Sequence, residues 1–96
     1  MIGPQPDHVC VPYDDEELVV GSVAVRLSKS CDPAQAVTIF VEGSLRYRVI
    51  GIDPTETVGI PVYSGDRLVL SKAEAYRFRA IRREAPDGRL YITYYR

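Results

Sequence analysis

Two stretches of the chain alternate arginine with large hydrophobic residues at a period of two. Residues 45–49 read Leu-Arg-Tyr-Arg-Val, and residues 74–80 read Glu-Ala-Tyr-Arg-Phe-Arg-Ala. Because the side chains of a β-strand point alternately to the two faces of its sheet, each stretch predicts a strand with one buried and one charged face. Sheets with one solvated face are typical of antiparallel proteins, so the pattern predicts an antiparallel β-domain.

Turn signals divide the rest of the chain into segments of the same kind. Asp-Pro, Ser-Gly-Asp and Pro-Asp-Gly sequences favour tight turns, and no segment has a convincing helical periodicity. We therefore predict seven strands, at residues 18–27, 36–42, 45–52, 57–63, 67–71, 74–83 and 89–95. Pro61 lies inside the fourth of them, which predicts an edge strand or a bulge there.

The alternation also predicts which residues of a strand face the core. The predicted core residues of the second, sixth and last strands are Val37, Ile39 and Val41, then Tyr76 and Phe78, then Leu90, Ile92 and Tyr94. In the sixth strand, Arg77 and Arg79 are then expected to point to solvent. In the last strand, Tyr91 and Tyr95 are expected on the outer face.

Ninety-six residues make one domain's worth of chain. Seven short strands at regular spacing favour an all-β fold. Two architectures fit: an antiparallel two-sheet sandwich, of jelly-roll or immunoglobulin-like type, and a small barrel. We predict an extended N-terminal arm at residues 1–17 and a single β-sandwich domain at residues 18–96.

The predicted arm contains three prolines and, at residues 14–17, a run of four acidic residues. Proline fixes φ and removes a backbone donor, and acidic residues are disfavoured in strands. We expect the arm to contact a neighbouring molecule through Val9, Val11 and Tyr13. The alternative is a frayed terminus without a partner.

The net charge is −1, but it is unevenly distributed. Residues 1–44 contain seven acidic and two basic side chains, whereas residues 45–96 contain six acidic and ten basic ones. A net charge near zero argues against a general nucleic-acid-binding protein. The uneven distribution fits either two solvated surfaces of one fold or attraction between neighbouring subunits.

The sequence offers few candidates for catalysis or metal binding. His8 is the single histidine, and Cys10 and Cys31 are the two cysteines. A zinc site needs three or four ligands, and a nucleophile needs a positioned base, so we expect no catalytic residue, metal or cofactor. The first residues have neither a basic segment nor a hydrophobic one, so we expect no secretion signal, no membrane association and a cytoplasmic location.

Arginines and tyrosines are the candidate partner-binding residues of the domain. They are Arg46, Arg48, Arg77, Arg79, Tyr91 and Tyr95. If the two arginine-bearing strands share a sheet, their charged side chains form one basic patch. Such a patch with tyrosines nearby fits a protein interface or a solvated face better than a nucleic-acid site.

Several short segments carry a resemblance to a known class of proteins. They are residues 23–27, 34–39, 47–49, 57–62, 64–66, 76–80 and 88–95, which include an Ala-Gln-Ala-Val entry to a strand, a Ser-Gly-Asp turn and a final aromatic hairpin. In this order they resemble the small β-sandwich virion proteins of tailed bacteriophages, of the head-decoration or tail-associated class.

The resemblance implies a non-enzymatic structural protein that oligomerises and binds a capsid or tail protein. It also implies a location in the virion, after assembly in the host cytoplasm. The alternative, from a different class, is a sandwich module that binds a carbohydrate or a peptide and uses tyrosines as a stacking platform.

Overall fold

Seven strands and one short helix lie in the part of the chain that the structure, a computed structural model, describes: residues 11–29 and 35–96. In chain order they are β1 (Pro12–Val20), β2 (Ala36–Glu42), β3 (Leu45–Arg48), β4 (Ile60–Val62), β5 (Arg67–Ser71), α1 (Lys72–Arg77), β6 (Arg79–Arg82) and β7 (Gly88–Tyr95). The predicted second and fifth strands coincide with β2 and β5, and the predicted last strand lacks one residue of β7.

The strands form two antiparallel sheets, with the orders β1-β7-β2-β5 and β4-β3-β6. The prediction of an all-β fold built from antiparallel sheets is therefore confirmed. Among the described strands, the outermost strands of the two sheets do not join, so the barrel alternative is wrong. Pro61 lies in β4, the outermost strand of the smaller sheet, where a missing N–H is tolerated.

The two sheets share one hydrophobic core. Its buried strand residues are Val20, Val37, Ile39, Val41, Leu70, Leu90, Ile92 and Tyr94 from the larger sheet, and Leu45, Val62 and Ala80 from the smaller one. The core assignments in β2 and β7 are thus confirmed. Phe78, between α1 and β6, is also in this core and stacks on Tyr47 with ring centroids 5.7 Å apart.

The first half of the predicted sixth strand is a helix. Ser71 starts α1 as a capping box, because its hydroxyl accepts a hydrogen bond from the Glu74 N–H while the Glu74 carboxylate accepts one from the Ser71 N–H. The helix buries Ala75 and leaves Tyr76 74% exposed, so the prediction of Tyr76 in the core is wrong. Phe78, which is 1% exposed, is a core residue as predicted.

Residues 12–17 belong to the larger sheet and not to an arm. They are part of β1, which pairs along its length with β7 of the same chain. The acidic run is tolerated because β1 is the outermost strand of its sheet, where charged side chains reach solvent. The predicted arm boundary at residue 17 is therefore wrong, and residues 1–10, including Val9, lie outside the described residues.

Three other predicted strands have different bounds in the structure. The first one ends at Val20, and Val23 beyond it is 75% exposed. β3 ends and β4 begins on either side of a loop that contains Gly51 and Gly59, both at positive φ. Gly59 directly precedes β4 in a conformation outside that of a regular strand, and the ladder between β3 and β4 has three residue pairs.

Candidate functional site

The solvent-facing surface of the larger sheet carries large exposed hydrophobic side chains. We call this surface, which consists of Glu17, Val19, Phe40, Glu42, Arg67, Val69, Arg89 and Tyr91, the outer face. Phe40 and Val69 are 50% and 62% exposed, and Tyr91 and Val19 are exposed as well. Hydrophobic surface that remains exposed next to charged groups is typical of contact sites between macromolecules.

The strand register arranges the outer face in rows. One row runs across all four strands, from Glu17 on β1 through Tyr91 on β7 and Phe40 on β2 to Arg67 on β5. Directly paired residues of an antiparallel sheet point to the same side, so these four side chains are neighbours. The row therefore has an acidic end, an aromatic centre and a basic end.

A second row lies next to the first. It contains Val19 on β1, Arg89 on β7 and Glu42 on β2. Arg89 also contacts Glu17 of the first row, with 3.3 Å between its guanidinium nitrogen and the carboxylate oxygen. Charges of both signs therefore border the exposed aromatic side chains.

Two contacts tie the aromatic residues of the outer face to charged neighbours. The Tyr91 hydroxyl donates a hydrogen bond of 2.8 Å to the Glu42 carboxylate. This bond raises the pKa of Tyr91 above its ordinary value, because deprotonation would break the bond and set two anions side by side. The guanidinium carbon of Arg67 lies 5.8 Å from the centre of the Phe40 ring, a cation–π arrangement.

A second exposed hydrophobic surface lies at the end of the smaller sheet. An open pocket of about 270 Å³ is lined by Arg48, Val49, Ile50, Val58, Gly59 and Ile60. Ile50, Val58 and Ile60 are each at least half exposed. We call this surface the loop pocket.

The four candidate arginines do not form one free basic patch. Arg46 donates hydrogen bonds to the carbonyls of Glu56 and Gly59, at 3.0 and 2.9 Å, and so holds the loop between β3 and β4. Arg48 and Arg79 are paired in register across β3 and β6, but Arg77 lies on the helix. The sequence pattern placed Arg77 and Arg79 together only because it assumed a strand there.

Arg79 is also occupied by contacts within the chain. Its guanidinium donates to the carbonyl of Phe78 at 3.0 Å and lies 3.6 Å from the Asp53 carboxylate. Such contacts reduce the positive potential that an anionic partner would meet. Of the candidate arginines, Arg48 remains next to an exposed surface, the loop pocket.

The candidate residues near the N-terminus contact the chain itself. The ring of Tyr13 packs against Tyr94, with centroids 6.4 Å apart, and the Arg96 guanidinium lies 4.9 Å from the Tyr13 ring centre. Val11 exchanges two backbone hydrogen bonds with Arg96. Tyr13 therefore stabilises the fold of its own chain. Tyr95 points to the outer side of β7 and is half-buried.

Glu16 forms a hydrogen-bond centre that the sequence pattern did not identify. Its carboxylate accepts hydrogen bonds from the hydroxyl and N–H of Ser28, from the N–H of Lys29 and from the hydroxyl of Tyr94. The Lys29 ammonium in turn contacts Asp14 at 3.2 Å and lowers the pKa of that carboxyl. With its oxygens occupied in this way, Glu16 connects β1 to the following loop.

The sequence pattern missed most of the outer face, although one signal was present. In the predicted second strand, Phe40 alternates with Ile39 and Val41 and therefore falls on the side opposite to the core. Val69 has the same position in the predicted fifth strand. Arg89 lies on the same side of the predicted last strand as Tyr91, but its position next to Glu17 could not be identified, because the pairing of β1 with β7 was not predicted.

Side chains that could bind a metal ion do not cluster in the part of the chain that the structure describes. No group of three or more histidine, cysteine, aspartate or glutamate side chains there could hold a metal ion. His8, Cys10 and Cys31 lie outside the described residues. Within residues 11–29 and 35–96, no helix has the length and hydrophobicity that a membrane span requires.

Comparison with known proteins yields no relative for this chain. No protein-family model, no curated protein and no solved structure matches it. The resemblance to phage virion proteins therefore stays a prediction from the sequence.

Proposed function

We propose that the protein is a non-enzymatic structural protein that associates with itself and with a larger assembly through its outer face. The single observation that carries this proposal is the exposure of Phe40, Val69 and Tyr91 on one side of a sheet whose other side is the core. Aromatic residues supply large contact area and are enriched in protein interfaces. Many repeated copies can then give strong binding from weak single contacts.

The assembly that we propose is the virion of a tailed bacteriophage, with this protein as a capsid-decoration or tail component. The support is the resemblance of the short strand and turn segments, together with a small antiparallel fold of two sheets. We propose the jelly-roll or immunoglobulin-like type for this sandwich on the same basis. Mass spectrometry of purified particles from cells that carry the gene would detect the protein in the virion fraction.

Self-association through the outer face can be tested with two matched serine variants. Phe40 and Ile52 are 50% and 56% exposed, and Phe40 is on the outer face whereas Ile52 follows the loop-pocket residue Ile50. We expect the wild-type protein to form dimers or larger species at micromolar concentration in sedimentation velocity. Phe40→Ser should weaken this association by about tenfold or more, and Ile52→Ser should leave it unchanged.

Two results would contradict the proposal. A wild-type protein that stays a 10.7 kDa monomer up to submillimolar concentration has no self-association to explain. Loss of association in Ile52→Ser together with normal association in Phe40→Ser would move the contact from the outer face to the loop between β3 and β4.

The second candidate function, binding of a carbohydrate, is favoured by the Tyr91–Glu42 pair next to Phe40. An exposed aromatic ring with an adjacent carboxylate is a suitable platform for a sugar ring and its hydroxyls. However, Arg67 already lies near the Phe40 ring and competes with a sugar for it. Affinity electrophoresis in gels with embedded polysaccharides would detect such binding, which Tyr91→Ala should abolish.

A further inference from the structure

We infer that the outer face binds the outer face of a second copy of this chain about a two-fold axis parallel to the strands. This inference rests on the proposed self-association and specifies its partner, its symmetry and its residue pairs. The order of charges across the sheet and the register of the strands favour this arrangement.

The first row has an acidic side chain at one edge of the sheet and a basic side chain at the other edge. Glu17 is on β1 and Arg67 is on β5, the two outermost strands, while Tyr91 and Phe40 are on the two central strands. When two such sheets stack face to face about an axis parallel to the strands, the strand order of one copy is reversed over the other. β1 then lies over β5 of the second copy, and β7 lies over β2.

This stacking places opposite charges over each other. Glu17 faces Arg67 of the second copy, and the symmetry repeats the pair at the other edge. Tyr91 of each copy faces Phe40 of the other copy, so these central aromatic side chains of both copies lose their contact with solvent. Because the axis is two-fold, every contact occurs twice, as in other isologous interfaces.

The second row supports the same axis independently. Arg89 is on β7 and Glu42 is on β2, so Arg89 of each copy lies over Glu42 of the other copy. Opposite charges across an interface favour one orientation of the partners over the others. Both rows therefore select the same arrangement of the two copies.

The other face-to-face arrangement brings like charges together. A two-fold axis midway between the two outer faces, parallel to the sheets but perpendicular to the strands, would stack β1 on β1 and β5 on β5. The acidic side chains Asp15 and Glu17 of the two copies would then share one edge, and Arg67 would lie near its own equivalent. Like charges placed opposite each other disfavour this arrangement.

The existing contacts within the chain are compatible with the proposed interface. Glu17 contacts Arg89, and Glu42 accepts a hydrogen bond from Tyr91. A carboxylate can accept about four hydrogen bonds and a guanidinium can donate about five, so each group can add a contact across the interface without losing its neighbour. The face is four strands wide, about 19 Å at the usual strand spacing, which predicts an interface at the small end of the range for specific contacts.

Charge reversal at the two ends of the first row tests the inference. Glu17→Arg alone would place the new guanidinium over Arg67 at both edges, and Arg67→Glu alone would place two carboxylates together twice. We expect either variant alone to raise the dissociation constant by about tenfold or more in sedimentation equilibrium at low salt. Glu56→Arg, a charge reversal in the loop between β3 and β4, serves as the control and should dimerise normally.

The decisive measurement is whether combining the two charge reversals restores the dimer. An equimolar mixture of the Glu17→Arg and Arg67→Glu proteins should form a 1:1 heterodimer, in which one edge pairs two wild-type charges and the other pairs the two reversed ones. The double variant with both changes in one chain should form a homodimer with near wild-type affinity. Circular dichroism of each variant verifies that its monomer is folded.

The possible outcomes separate this inference from the proposed function. If the wild-type protein self-associates but both single variants associate equally well, the outer-face dimer is wrong while self-association stands. If the single variants dissociate but neither the mixture nor the double variant restores the dimer, the proposed axis is wrong. A wild-type monomer overturns both.

Discussion

At the scale of single residues, side chains of the same type have different roles in this molecule. Tyr94 is fully buried and its hydroxyl is bonded to Glu16, whereas Tyr91 is exposed and bonded to Glu42 on the outer face. Arg46 holds a loop through two backbone carbonyls, whereas Arg48 lines a pocket. The position of a residue relative to the two sheets, and not its chemical type, determines its role.

Phe78 and Tyr76 provide a direct test of this point. We expect Phe78→Ala to lower the free energy of unfolding by about 3–5 kcal/mol, because it removes a ring from the core. Tyr76→Ala should change it by about 0.5 kcal/mol or less, because Tyr76 is largely exposed. Urea denaturation followed by circular dichroism measures both, and equal losses would show that α1 does not form as described.

At the scale of elements, α1 and β1 are two places where local pattern and structure disagree. The alternation in residues 74–80 favours a strand, but Ser71 and Glu74 provide the Ser-x-x-Glu spacing of a capping box. The acidic run in residues 14–17 disfavours a strand, but pairing with β7 supplies it with a full ladder. In both segments, specific hydrogen bonds outweigh average residue preferences.

The capping box of α1 makes a measurable contribution to stability. Ser71→Ala removes the acceptor for the Glu74 N–H and should cost about 0.5–2 kcal/mol of unfolding free energy. Ser71→Asp keeps an acceptor at the cap and should retain most of the wild-type stability. Thermal or urea unfolding of the three proteins compares them; a Ser71→Ala protein as stable as the Asp variant would argue against the cap.

At the scale of the whole molecule, the close approach of the two sheets depends on two glycines. Gly43, at a φ of +101°, follows the end of β2, and a Cβ there would lie 2.9 Å from the Cα of Gly88. A Cβ on Gly88 would lie 2.5 Å from the Leu45 side chain and 2.7 Å from the Glu42 carbonyl oxygen. The start of β7 in the larger sheet therefore contacts the start of β3 in the smaller one without space for a methyl group.

Gly88→Ala should therefore strain the junction of the sheets. We expect a loss of about 1–3 kcal/mol of unfolding free energy, because the backbone of Glu42 cannot move away as a flexible side chain could. Gly21→Ala is the control, since the nearest atoms to its new Cβ are 3.4 Å away on the Asp87 side chain. If both variants unfold at the same urea concentration, the contact of Gly88 with Leu45 is looser than described.

Local sequence patterns were sufficient to predict the fold class, the positions of β2, β5 and β7 and the core residues of β2 and β7. These features follow from a local rule, because alternation with a period of two decides which side chains of a strand are buried. The same rule placed Tyr91 on the outer face; applied to Phe40 and Val69, which were not predicted, it places them there as well. This alternation rule applies to a single strand, whichever strands lie next to it.

The identity of neighbouring strands, and with it the composition of the candidate site, follows from the folded structure and not from local patterns. The row from Glu17 to Arg67 joins four strands that are distant along the chain, and its charge order follows from the strand order alone. Likewise, the predicted basic patch is not free, because Arg46 and Arg79 donate hydrogen bonds to backbone carbonyls. Pairing of distant segments depends on contacts across the fold, which no local periodicity contains.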